Sequence, residues 1–345
     1  MTSNYSTPRT ERKESIDAVK GFAIFAVVVG HVIANFFDSW SNTLQEEPVV
    51  MYWWRLIYSF HMPLMMFVSG YLFLSSRVLT DNPFKVWLHK IQPLIFPFML
   101  MGLVLYLLRG SKDSYWYLRT LGEFVTIQLI YEHLRKKFHF SWIGDFIWLV
   151  FTWYISAILL GKCYTIPYFN FIVDIQHFQW VWIYFCIGVM FRRYNVFGLL
   201  AFKNSESLFL LLFSIYCIYT IGGGKNVLLV FSQIAIVCII IAIFQAFNQY
   251  RSESLVMQAF KYMGKHTLEI YIIHGFFLFK MPEIGSFISS KCLSLPAPLT
   301  GLSIEILVAI ILSLINVAMS AAVYEPLKAF PLIYRLFLGR DVSKK

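Results

Sequence analysis

Apolar residues in this chain come in runs of about 20, separated by short polar segments, which is the length a helix needs to cross a bilayer. The runs predict crossings near residues 18–37, 52–74, 86–108, 116–134, 142–161, 177–191, 205–221, 226–247, 266–281 and 301–324. The fourth carries Arg119, Glu123 and Glu132, and the sixth and ninth are short. The apolar stretch 164–176 abuts the sixth without room for a loop and reads as a re-entrant or interfacial segment. Mostly polar residues precede the first run. Gly21 to Phe37 is too long for a signal-peptide core and no small-residue cleavage site follows, so the run reads as an uncleaved first helix. The expected fold is all-α: a polytopic membrane helix bundle of about ten transmembrane helices. Residues 1–17 form a cytoplasmic flank, 18–325 the membrane domain and 326–345 a cytoplasmic tail.

Composition agrees with this pattern. Hydrophobic residues make up 58% of the 345 and charged residues only 14%, well below the level of soluble domains, so soluble α/β, disordered and collagen-like classes are excluded. The formal charge of +10 raises the question of nucleic acid. Inner-membrane proteins, however, accumulate Lys and Arg in cytoplasmic loops. In the ten-helix arrangement with both termini inside, 21 of the 29 basic residues fall on the cytoplasmic side. The first outer loop, Asp38 to Val50, carries Asp38, Glu46 and Glu47 and no Lys or Arg. Omitting the 116–134 crossing would put Arg135, Lys136 and Lys137 outside. No nucleic-acid partner is expected; membrane lipid is. The five cysteines have no paired spacing, so neither a disulfide framework nor a metal site is inferred.

Against so apolar a background, each ionisable residue at membrane depth is a functional candidate. Asp17, Lys20 and His31 lie on the first helix, the latter two at offsets of 3 and 14 from Asp17 and 11 from one another. Eleven residues make three turns plus about 20°, so Lys20 and His31 share a face, roughly 16 Å apart along the axis. Asp17 falls one turn from Lys20, within pairing distance. Lys20 alone could snorkel to headgroups; a buried imidazole could instead bond across helices. On the second helix His61 precedes Pro63, and Ser69-Gly70 reads equally as close helix packing. His266, Glu269 and His274 fall in one short span of the ninth. Lys85, His89 and Lys90 open the third, a basic cluster that suits headgroups or a polyphosphate ligand.

At these residues the chain resembles the acyltransferase-3 integral membrane O-acyltransferases. Lys20-x10-His31, with Asp17 before it and Gly21 after, is similar to that family's Arg/Lys-x10-His signature. FHMPLMMFVSGYLF is similar to its second-helix block, Trp153-Tyr154-Ile155 to its Trp-Phe-Leu block, and Phe185 to Gly188 to a later Phe-x-x-Gly. MGKHTLEIYIIH resembles a block that usually reads Gly-Lys-Asn-Ser-Leu-x-Ile-Tyr-x-x-His. His266-Thr267 departs from the usual Asn-Ser, and the Arg-rich start of the third helix is reduced to Lys85, His89 and Lys90. The resemblance runs from residue 15 to about 325 and implies acyl transfer, usually acetyl, from acyl-CoA to a hydroxyl of a bacterial glycan, in the bacterial cytoplasmic (inner) membrane. The resemblance is to the stand-alone type, in which no fused esterase-like domain is expected.

That chemistry suits the residues. A sugar hydroxyl needs a base as it attacks the thioester, and neutral histidine serves near pH 7. His31 is the expected base, with Asp17 and Lys20 beside it on the stripe. Acetyl-CoA is the expected acyl donor, consumed as a co-substrate, with no metal. Its phosphates suit Lys20, Lys85 and Lys90. His61 or His274 would position the acceptor or polarise the carbonyl, and Ser69, Trp153 and Glu269 would support the site. With no G-x-S-x-G elbow, direct transfer is favoured over an acyl-enzyme. A transporter or flippase of lipid-linked glycans would also use buried histidines and charges, but neither paired broken helices nor an internal repeat is present. The sequence does not specify an oligomeric state.

Overall fold

The computed structural model describes residues 8–37, 50–75, 78, 82–109, 115–163, 174–196, 213, 216, 227–295 and 298–341. Among these, all regular structure is helical. The helices are α1 (Pro8–Phe36), α2 (Val50–Phe73), α3 (Pro83–Arg109), α4 (Trp116–Phe138), α5 (Trp142–Cys163), α6 (Ile175–Arg193), α7 (Val227–Arg251), α8 (Leu255–Lys265), α9 (Thr267–Ile273), α10 (Pro282–Leu293), α11 (Pro298–Leu327) and α12 (Pro331–Leu338). A 3-10 turn, His274–Phe277, follows α9.

Among the described residues, six stretches are long and apolar enough to cross a membrane: Glu14–Phe36, Tyr52–Phe73, Pro83–Leu108, Trp142–Leu159, Leu229–Arg251 and Thr300–Leu327. The protein is an all-α, multi-pass membrane bundle. Helices α4 and α6 stand where crossings are predicted, but polar residues dilute their hydropathy. In α4 these are Arg119, Glu123 and Glu132, with Arg135, Lys136 and Lys137 in the last turn; α6 has a polar start and ends on Arg192 and Arg193. The predicted crossing at 205–221 lies outside the described residues except at Phe213 and Tyr216, and the segment 164–173 lies outside them altogether.

The ninth crossing, expected over 266–281, differs in form. It is a seven-residue α-helix tightened into the 3-10 turn, with extended backbone from Leu278 and a new helix from Pro282. Proline starts a helix more readily than it continues one, so Pro282 opens a separate helix rather than extending the first. The sequence pattern also missed α8, whose Ser254 cap accepts from the Met257 amide at 3.3 Å, and α12 in the tail.

The helices divide into two compact units: 1–65 with 202–324, and 66–201 with 325–345. In the first, α1 packs on α8 and also meets α7, α9 and α10. Glycines set the α1–α8 approach. A Cβ on Gly21 would stand 1.9 Å from the Phe260 carbonyl oxygen, and one on Gly264 would stand 1.7 Å from that of Asp17. Small residues let membrane helices touch backbone to backbone. Phe22, Phe244 and Phe260 fill the adjoining space, with centroids 5.4–5.8 Å apart. In the second unit, α3 packs on α4 and α12, and α6 on α4 and α5. There Gly70 and Gly188 repeat the device: a Cβ on Gly70 would meet the Phe185 carbonyl oxygen at 2.0 Å, and one on Gly188 that of Phe67 at 2.0 Å.

Substituting Gly264→Ala or Gly21→Ala forces α1 and α8 apart and is expected to cost on the order of 1–3 kcal/mol or more, as overpacking does. Gly102→Ala, whose Cβ would meet its nearest neighbour at 3.9 Å, is expected to be near neutral. Thermal unfolding of the detergent-solubilised variants checks this; equal midpoints for all three would refute the close-contact account.

Candidate active site

The α1–α8 contact fixes the polar stripe of α1. At one end of the stripe Lys20 Nζ lies 3.6 Å from Asp17 Oδ1. Three turns along, His31 meets His274, although 243 residues separate them in sequence: Nδ1 of His31 is 2.9 Å from Nε2 of His274, and the rings stack at 5.1 Å. His31 is half-buried, whereas His274 is buried.

The partners assign the protons. Nδ1 of His274 lies 3.0 Å from the Ile270 carbonyl oxygen and 2.7 Å from that of Tyr271. Carbonyls only accept, so this Nδ1 carries the hydrogen, and Nε2 of neutral His274 is an acceptor. Nδ1–H of His31 therefore donates to it, leaving the lone pair of neutral His31 on Nε2. An imidazole in that tautomer can take a proton at Nε2 while its other nitrogen stays anchored.

His61 is also buried; its Nδ1–H donates to the Ile57 carbonyl oxygen at 2.8 Å, and its ring meets Tyr58 edge-on at 4.5 Å. Near His31 the α1–α2 approach is close, since a Cβ on Gly30 would stand 3.0 Å from the Tyr58 ring. Glu269 is buried, with Oε1 3.4 Å from Nδ1 of His266.

The other predicted residues stand in the second unit. Ser69 and Tyr117 hydroxyls are 2.8 Å apart, and the Trp153 indole N–H donates to the Gln179 carbonyl oxygen at 3.1 Å. On α3, Lys85 is exposed and Lys90 Nζ lies 4.9 Å over the Phe73 ring.

Two polar clusters of this unit escaped the sequence reading. Asp145 accepts from Tyr131 (2.6 Å), Tyr194 (2.5 Å) and Arg135 (3.0 Å), and Arg193 pairs with both Asp145 and Glu132. Asp174, just ahead of α6, pairs with Arg119 at 2.8 Å and His177 at 2.8 Å and accepts from Thr120 at 2.7 Å. Burial alone would raise the Asp174 carboxyl; the bonds from His177, Arg119 and Thr120 outweigh it and hold the group down at about 2. The signal in the sequence was the run of charges that weakens the 116–134 crossing.

Removing Asp145 leaves Arg135 and Arg193 without their shared carboxylate. Asp145→Ala is expected to lower stability by about 3–5 kcal/mol, as breaking a buried pair does. Chemical unfolding in detergent measures it, and a change under about 1 kcal/mol would place the pair among surface-like bridges.

The acyltransferase-3 family, described as an acyltransferase domain, matches residues 13–325. No curated protein sequence and no solved structure matches the chain.

Proposed function

The chain belongs to the acyltransferase-3 family and is a membrane acyltransferase, and on that premise we propose that it moves an acetyl group from acetyl-CoA to a hydroxyl of a cell-surface or lipid-linked glycan, with His31 as general base. The observation that carries the reading is the 2.9 Å bond between His31 and His274 within the membrane domain, which leaves the His31 lone pair on Nε2.

In the transfer, Nε2 of His31 takes the proton of the acceptor hydroxyl as its oxygen bonds to the thioester carbonyl carbon. The carbon–sulfur bond then breaks, and the CoA sulfur leaves and takes up the proton that His31 removed from the hydroxyl, which restores the neutral imidazole. The imidazolium formed at His31 donates from Nδ1 to His274, a charge-assisted bond that steadies it. Lys20, held beside Asp17, supplies positive charge for CoA phosphates at the other end of the stripe. The protein works in the bacterial cytoplasmic membrane, taking its donor from the cytoplasmic side.

The test incubates purified protein with labelled acetyl-CoA and surface glycan from a deletion strain. Wild-type protein is expected to label the glycan, and His31→Ala to do so about 10²–10⁴-fold more slowly. Label that never reaches glycan, or an alanine variant as fast as wild type, overturns the reading. Lys20→Ala is expected to raise KM for acetyl-CoA more than it lowers kcat, and steady-state kinetics separate the two.

A further inference from the structure

Helix α9 and its 3-10 turn end at Phe277, inside the membrane domain. The last four carbonyls of a helix have no donor from the helix itself, and within a bilayer the protein must supply one. Asn316 on α11 does so. Its Nδ2 donates to the His274 carbonyl oxygen at 3.1 Å and to that of Phe277 at 2.8 Å. The side chain is fully buried, and the Ser320 hydroxyl donates to the Asn316 carbonyl oxygen at 2.9 Å. The reverse amide orientation would aim an oxygen at two carbonyl oxygens, so the donor assignment is fixed by chemistry.

We propose that Asn316 is a positioning residue for the acyl transfer: by clamping the turn that carries His274, it holds His274 as the acceptor that keeps the His31 lone pair on Nε2. This rests on the reading of His31 as the base. Nδ1 of His274 finds the Ile270 and Tyr271 carbonyls only while its backbone holds the end of α9 in this form. If the turn relaxes, the His274 ring can turn and present an N–H to His31. The His31 lone pair then moves to Nδ1, and Nε2 carries a hydrogen and cannot take one. A second observation points the same way: Oδ1 of Asn316 is buried without a partner among the described residues. An apolar residue of similar size would avoid that cost, so packing alone does not account for an asparagine there.

The experiment compares wild type, Asn316→Leu and Asn316→Ser, using 15N-histidine NMR of the solubilised protein together with acetyl transfer from labelled acetyl-CoA. Wild-type His31 is expected in the Nδ1–H tautomer. Asn316→Leu, which removes the donor and the orphan oxygen together, is expected to fold, to populate the Nε2–H tautomer of His31 and to lower kcat by about 10- to 100-fold with KM for acetyl-CoA little changed. Asn316→Ser keeps one donor and is expected to fall between. A wild-type His31 carrying its hydrogen on Nε2 overturns the proposal, as does an Asn316→Leu variant with wild-type tautomer and kcat. If His31→Ala abolishes transfer while Asn316→Leu is unaffected, only the positioning role fails. If His31→Ala transfers at the wild-type rate, the base assignment fails instead.

Discussion

The geometry of the histidine site depends on two helices touching without side chains between them. Gly21 faces the backbone of α8 and Gly264 faces the backbone of α1, so each helix offers the other a flat place to rest. In lipid there is little hydrophobic force to bring helices together, and association relies on close packing. This contact sets where α1 lies against the segment leading to His274, and a hydrogen bond of 2.9 Å tolerates little play in that position.

The second unit meets the same problem of polar groups in an apolar setting by another route. Its charges are gathered into networks around Asp145 and Asp174, in which each carboxylate accepts from several donors. The first unit carries a polar stripe on α1 and bonds imidazole to imidazole. Networks of the former kind fix geometry; an imidazole pair also leaves a ring nitrogen with a lone pair that can take a proton.

Much of the fold was legible because a bilayer imposes length. Runs near 20 residues located α1, α2, α3, α5, α7 and α11. The stripe of Asp17, Lys20 and His31 followed from helical periodicity alone. The pairing of His31 with His274 was not legible, since it joins residues 243 apart and periodicity speaks only of one helix at a time. Asn316 was invisible for a related reason: an asparagine in an apolar helix looks like any hydrogen-bonding residue until the carbonyls it serves are known. The form of the last crossing but one was not legible, because hydropathy does not register that a helix tightens into a 3-10 turn, as this one does from His274. Two glycines in the blocks that resemble the family, Gly264 and Gly188, serve close helix packing.

The burial of α1 has a consequence for biogenesis. Of the helices described, this one leaves the ribosome first, yet the surfaces that cover it, α7 and α8, are made more than half a chain later. Until then His31 stands without its later neighbour His274. Synthesis proceeds from the N-terminus, and contacts of such long range close late. A chain cut short before residue 265 would hold a complete stripe and no histidine pair, so that pair forms only once the segment beyond it has been made.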